Sequence, residues 1–304
     1  MIRYISHQDI DKNLWDEAIR SSPAGNIYGY SWYLDIICAG WDALVQDEYS
    51  AVMPLTKRRK YFINYIFPPF FAQQLGIYSK IPVTESEQNE FLSSIPQSFQ
   101  FIEMNLNATN SWTPDNFIVK QNNNYVLTLG RHYSEITGGY SENHIRNIKK
   151  ASKQQMSFFK SANVKDVINM FRTNRGMQVE NLKNEHYVIF EKLQEAAAKK
   201  NQSQVWIVNN QYGLPVAGAV FFYSHNGAIF IFSGATQEGK SLSAMHYLID
   251  EFVKEHALTL NQLDFEGSND PDLARFYKGF GSTEFVYLQI KKNLLPAPWK
   301  WFKH

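Results

Sequence analysis

Three β-type segments within residues 203–233, SQVWIVNNQYGLPVAGAVFFYSHNGAIFIFS, decide the fold class of this chain. Apolar and β-branched residues dominate 203–209, 215–223 and 228–233, and short turns containing Asn and Gly separate these segments. Strands joined by such short turns run antiparallel, whereas a doubly wound sheet alternates strand and helix throughout. The stretch therefore predicts an antiparallel meander inside an α/β domain of the α+β type.

The sequence on either side of the meander predicts the rest of one domain. Hydrophobic spacing predicts a strand and two helices before it, and a helix, a strand, a short helix and a final strand after it. The strands are expected at 156–160, 262–266 and 283–291, and the helices at 164–171, 187–200, 242–253 and 271–278. The predicted order in the second half is thus β-α-α-β-β-β-α-β-α-β.

The first half of the chain shows the same order of elements less clearly. Strands are expected at 2–5, 43–46, 50–55, 61–67 and 99–105, helices at 10–19, 30–39 and 85–94, and a hairpin at 116–129 that turns across 121–124. We therefore predict two domains, residues 1–135 and 154–304, joined by a basic helix within 136–153. Each domain is expected to be a mixed, largely antiparallel sheet flanked by helices.

Composition and charge exclude several classes of function. Hydrophobic residues make up 44% of the 304 and the net charge is +1, which predicts packed cores and no strong overall field for nucleic acid. The single cysteine, Cys38, lies in an apolar stretch, and the eight scattered histidines predict no metal site. The longest apolar stretch, 61–75, is too short and too interrupted for a membrane span, so we expect a cytoplasmic protein.

Three stretches of the second half carry more specific motifs. They are SENHIRNIKKA at 141–151, LDFEGS at 263–268 and ARFYKGFG at 274–281. In this order they resemble the "S…R…I-K-K-A", "F-D-F-G-G-S" and "F-K-x-x-F-G" segments of FemAB-like enzymes, and the last also resembles the "L-Y-E-K-x-G-F" segment of GNAT acyltransferases. The resemblance covers about 130–291. It implies two GNAT-like domains facing each other across a cleft, and transfer of an acyl or aminoacyl group onto an amine.

This resemblance implies an N-acyltransferase that moves an acetyl or larger group from a thioester donor, such as acyl-CoA, to a small-molecule or peptide amine. One alternative is a FemAB-type aminoacyltransferase that uses aminoacyl-tRNA, although the chain has no room for the helical-hairpin arm of the cell-wall enzymes. Another is a degenerate GNAT-like protein that only binds a ligand. The loop ATQEGKSLS at 235–243 favours this last alternative, because it has one glycine where GNAT enzymes have Q/R-x-x-G-x-G/A.

The predicted reactive centre lies between the strands at 228–233 and 262–266. Asp264 and Glu266 are two residues apart, so on a strand they share a face. Glu266, at the end of the strand, is the first candidate acceptor of the amine proton, and Asp264 is the second. Tyr277 matches the position where GNAT enzymes keep the tyrosine that protonates the departing thiolate. The alternatives are that the carboxylates cap a helix or pair with Lys278, and that Tyr277 is a core aromatic.

Two further groups are predicted to bind anions. Gly239, Lys240 and Ser241 are the predicted phosphate contacts at a helix start, although an ordinary helix start would look the same. The cations Arg146, Lys149 and Lys150 belong to a run of six without a carboxylate, and we expect Arg146 and Lys149 to face the interdomain cleft and bind substrate. A solvated basic face is the alternative.

Overall fold

A computed structural model describes residues 1–161, 163–174, 176, 182–267 and 269–296. The helices are Lys12–Ser21 (α1), Ser31–Ile37 (α2), Glu85–Ser93 (α3), Tyr133–Gly138 (α4), Glu142–Ala151 (α5), Lys165–Arg172 (α6), Asn184–Lys199 (α7), Gln237–Ser241 (α8), Ala244–His256 (α9) and Pro271–Lys278 (α10). The strands are Ile2–Ile5 (β1), Asp42–Gln46 (β2), Ala51–Leu55 (β3), Lys57–Lys60 (β4), Ile63–Ile66 (β5), Tyr78–Ser79 (β6), Phe99–Asn105 (β7), Ile118–Thr128 (β8), Ser157–Ser161 (β9), Ser203–Asn209 (β10), Pro215–Ser224 (β11), Gly227–Ala235 (β12), Gln262–Asp264 (β13) and Thr283–Asn293 (β14). The predicted α/β class of the α+β type is confirmed.

The chain forms two compact units. One consists of Met1–Asn123 with residues 286–296, and the other of Asn124–Phe285. This division differs from the predicted boundaries, because α5 belongs to the second unit, where it packs against α9, and does not link two domains. The C-terminal half of β14 belongs to the first unit, since its residues pair antiparallel with β7, from Gln289 opposite Asn105 to Asn293 opposite Phe101.

In the second unit a central sheet is covered by helices on both faces. Its strands follow the order β8-β13-β12-β11-β10-β9, and the predicted meander β10-β11-β12 is antiparallel. Neighbouring residues of a strand point to opposite faces. Phe222 accordingly packs near Phe190 of α7, whereas Phe221 stacks on Phe252 of α9 with ring centroids 3.9 Å apart. Burial on both faces explains why β11 is apolar almost throughout.

In the first unit, strands β1-β2-β3-β6 form an antiparallel group, and β5 pairs parallel with β7. Helix α3 lies between these two parallel strands in sequence, as α8 and α9 lie between β12 and β13 in the second unit. A parallel pair requires a crossover connection of this kind. Both units therefore contain a parallel strand pair joined by a helical crossover.

The predicted hairpin at 116–129 is wrong, because these residues form the single strand β8. Three residues of β8 pair antiparallel with β13, from Val126 opposite Asp264 to Thr128 opposite Gln262. The asparagines that suggested a turn have other partners, and Asn124 is buried and donates its side-chain N–H to Asp264. Strand pairing and this side-chain contact override the local preference of asparagine for turns.

Candidate active site

The two strands β12 and β13 separate from each other in the second unit. They pair parallel at three positions, the last of which is Ile229 opposite Asp264, and β12 then continues for six more residues to Ala235. A cavity of about 220 Å³ lies beside this part of β12, which is paired with β11 but no longer with β13. We call it the strand-opening cavity. Its lining residues come from α6 and the turn after it, β12, α8, α9 and α10: Met170, Phe171, Asn174, Phe230, Ser233, Gly234, Ala235, Lys240, Met245, Leu273, Phe276 and Tyr277.

Helix α10 brings Tyr277 to this cavity. Asp270 caps the helix by accepting hydrogen bonds from the backbone N–H groups of Asp272 and Leu273, and Pro271 occupies the first turn, as predicted. Tyr277 is 8% exposed, and its ring stacks on Phe265 with centroids 4.9 Å apart. The residue is thus both a core aromatic and part of the cavity wall, and its role as the acid stays a prediction.

Asp264 lies at the end of β13, where the two strands part. One of its carboxylate oxygens accepts a hydrogen bond from the Glu266 backbone N–H at 2.7 Å, and the other accepts from the Asn124 side chain at 3.2 Å. Burial raises the pKa of Asp264 from 3.8 to about 6, although both hydrogen bonds act in the opposite direction. A carboxyl group with such a pKa exchanges its proton near neutral pH, as general bases do.

Glu266 does not share a strand face with Asp264, contrary to the prediction. Strand β13 ends at Asp264, and Glu266 has a φ of 60° in the left-handed region. The chain turns sharply at Glu266 after the end of β13, with the Glu266 N–H held by the Asp264 carboxylate. Left-handed backbone at a residue with a side chain is strained and often marks a functional position. Ser268, the last residue of the motif, lies outside the described residues.

The three predicted phosphate contacts have different environments. Gly239 is buried in α8, its N–H donates to the hydroxyl of Thr236 at 3.0 Å, and a Cβ atom there would lie 2.0 Å from the carbonyl oxygen of Val216. Glycine is therefore required for the packing of α8 on β11, and its N–H serves the helix cap. Ser241 donates its hydroxyl to the carbonyl of Glu238 at 2.8 Å, and Lys240 lines the strand-opening cavity.

The basic helix α5 lies close to α8 within the second unit. Lys150 donates from its ammonium group to the carbonyl oxygen of Ser241 at 2.6 Å, so the structure brings two predicted anion-binding groups together. Arg146 and Lys149 are exposed, and with Lys150 and Lys153 they line a shallow concave surface of about 580 Å³ along α5. That Arg146 and Lys149 face an interdomain cleft stays a prediction.

Two histidines, His144 of α5 and His246 of α9, lie where α5 packs against α9 and α10. The buried His144 lies 2.8 Å from the carbonyl oxygen of Phe276 through Nε2, and its ring is 4.7 Å from that of His246. Burial lowers the pKa of His246 to about 4, so the ring is neutral at neutral pH. Its contacts with the rings of His144 and Phe276 indicate a packing role rather than proton transfer. A Cβ atom on Gly279 would lie 2.0 Å from the His144 ring, which explains the glycine of the ARFYKGFG motif.

Within the described ranges, no three side chains of His, Cys, Asp or Glu come close enough together to hold a metal ion. Among the same residues, no helix has the length and apolar character needed to cross a membrane.

The separating parallel strands, the helical crossover and the antiparallel meander define a GNAT-type domain, and the similarity to solved structures extends over the whole chain. FemX superposes with a TM-score of 0.71 at 11% identity over 97% of this chain and 98% of that one. A tandem GNAT protein from the clavulanic acid biosynthesis pathway gives a TM-score of 0.58 at 9% identity, covering 98% and 100%. The structure of L-PGS from Bacillus licheniformis gives 0.55 at 9% identity, covering 96% and 95%.

These similarities show that the chain has the double-GNAT, FemAB-like fold that its motifs predicted. No protein-family model and no curated protein sequence matches the chain.

Proposed function

We propose that this protein is an N-acyltransferase whose acyl group binds in the strand-opening cavity. The observation that carries the proposal is the end of pairing between β12 and β13 at Ile229 and Asp264, with a cavity beside the part of β12 that β13 leaves and Tyr277 in its wall. Backbone N–H groups along this edge of β12 are the candidate donors to the oxyanion that forms when an amine attacks a carbonyl. The mostly apolar lining is suited to a short acyl chain.

The proposed reaction needs one base and one acid. The amine nitrogen attacks the thioester carbonyl, the C–N bond forms, and the C–S bond breaks. The attacking amine loses a proton to a carboxylate, for which Asp264 is the stronger candidate because it lies where β12 and β13 part and its pKa is raised to about 6. Glu266 is the second candidate, and the Tyr277 hydroxyl supplies a proton to the departing thiolate.

The donor is proposed to be an acyl thioester with an anionic carrier, such as acyl-CoA. Lys240 lies at the cavity, and Lys150 contacts the end of the same short helix, so both cations could meet phosphate groups. Because the Gly239 N–H is used by the Thr236 cap, phosphate binding would depend on these side chains more than on backbone N–H groups. Arg146 and Lys149 extend the same positive surface towards the donor or an anionic acceptor.

Acetyl-CoA binding and acyl transfer test the proposal. Isothermal titration with acetyl-CoA should show binding by the natural chain, loss of binding by Ala235→Phe, which fills the cavity, and weaker binding by Lys240→Gln. Matched controls are Ala198→Phe and Lys192→Gln, which make the same changes at exposed positions of α7. Thiol release on addition of a panel of small amines and amino-terminal peptides then reports transfer.

The same experiment separates the alternatives. Transfer from aminoacyl-tRNA, with no binding or turnover of acyl-CoA, would replace the thioester donor by the FemAB-type donor. If no amine-dependent transfer occurs from either donor class, the ligand-binding alternative holds. That result would overturn the enzyme proposal.

A further inference from the structure

An exposed hairpin of the first unit, formed by β4 and β5, has an unusual turn. The strands pair from Lys57 opposite Ile66 to Lys60 opposite Ile63, so Tyr61 and Phe62 alone form the turn. Both have positive φ values, 50° and 64°. Two-residue turns of this type favour Asn-Gly, because bulky side chains are strained in left-handed backbone. Strain of this kind persists where a side chain is needed for another purpose.

The two turn residues project into solvent. Tyr61 is 72% exposed and Phe62 is 89% exposed, which makes Phe62 the most exposed of the large apolar side chains that the structure describes. A polar turn would be more stable and more soluble at this position. The aromatic rings therefore indicate a surface that they contact.

Three cations lie next to the rings. Arg58, Arg59 and Lys60 are exposed, and in the described part of the chain no carboxylate forms an ion pair with them. The ammonium of Lys60 is 5.3 Å from the Tyr61 ring centre, and the guanidinium of Arg59 is 5.5 Å from that of Phe62. Charged residues on an edge strand also prevent pairing with other chains, but that purpose does not account for aromatic residues at the turn.

We propose that this hairpin, residues 57–66, binds an anionic lipid surface. Tyr61 and Phe62 would enter the headgroup region, where aromatic rings are favoured, while the three cations contact lipid phosphates. Projection from a turn favours a lipid surface over nucleic acid, since base-stacking aromatics usually lie on a broad platform where several bases are held in a row. The proposal is independent of the acyltransferase activity and gives the protein a peripheral membrane site.

Vesicle co-sedimentation tests this proposal. The protein is mixed with phosphatidylcholine vesicles that either contain about 30% phosphatidylglycerol or lack it. Each cation near an anionic surface contributes on the order of fivefold to binding. The natural chain should therefore bind the anionic vesicles at least about tenfold more tightly than the neutral ones. The double variant Tyr61→Asn/Phe62→Gly should lose about tenfold in binding while its unfolding temperature stays the same or rises, because Asn-Gly is the preferred turn.

A charge-matched control distinguishes a specific site from general attraction. The triple variant Arg58→Gln/Arg59→Gln/Lys60→Gln should abolish binding. The variant Lys192→Gln/Lys199→Gln/Lys200→Gln, at exposed positions of α7 and its C-cap, should not. Equal loss in both triple variants, or no binding of the natural chain to anionic vesicles, would overturn the proposal. Hairpin-dependent binding to a single-stranded RNA oligonucleotide without vesicle binding would overturn it as well.

Discussion

The carboxyl group of Asp264 gives the most quantitative prediction, because its protonation should affect folding stability. A carboxyl whose pKa is higher in the folded state holds its proton more tightly when folded, so its ionised form destabilises the fold. This cost is absent below the unfolded pKa, near 4, grows as the pH rises from about 4 to about 6, and is constant at higher pH. The rise from 3.8 to about 6 corresponds to about 3 kcal/mol.

Asp264→Asn should remove that cost while keeping both hydrogen bonds. The asparagine oxygen can still accept from the Glu266 N–H. Its new N–H₂ group can donate to the side-chain oxygen of Asn124, which is buried and has no hydrogen-bond partner in the structure, if the Asn124 amide rotates by half a turn. The variant should therefore be more stable than the natural chain at pH 8, by up to about 3 kcal/mol, and equally stable near pH 4.

Urea unfolding followed by circular dichroism between about pH 4 and pH 8 measures this difference. Asp115→Asn, at an exposed carboxylate, is the control and should show little pH-dependent change. A difference between Asp264→Asn and the natural chain that is the same at every pH would refute the reasoning, because it would mean that Asp264 titrates alike in the folded and unfolded states. If Asp264 is also the base, the more stable variant should lose acyl transfer.

Three further predictions concern neighbouring residues. Tyr277→Phe should slow acyl transfer by about tenfold to a hundredfold with an unchanged unfolding temperature, since water can replace the phenol only in part as the acid; full activity would remove Tyr277 from the mechanism. Gly279→Ala should lower the free energy of unfolding by about 1–3 kcal/mol by displacing His144, whereas Gly138→Ala, where a Cβ atom meets nothing within 4 Å, should not. Glu266→Gly should change stability by less than about 1 kcal/mol, whereas Glu266→Val should cost more than that in urea unfolding, because β-branched residues tolerate left-handed backbone poorly.

Local patterns in the sequence were sufficient to predict much of the second unit. Runs of apolar and β-branched residues, separated by turns containing Asn and Gly, predicted the β10-β11-β12 meander, and the bounds 203–209 and 271–278 are those of the structure. The motif order predicted the double-GNAT, FemAB-like fold, which the solved structures support. These features depend on residues close together in the chain, so a single sequence contains them.

Contacts between distant residues decided what the sequence could not. Asn124 is 140 positions from Asp264, and their hydrogen bond turns an expected asparagine turn into a strand and helps to enclose the carboxyl. The site of the Glu266 bend, the packing need of Gly239 and the approach of Lys150 to Ser241 likewise follow from how strands and helices meet. Residue types and spacing determined which elements form, whereas burial and pairing between distant segments determined which side chains surround the strand-opening cavity.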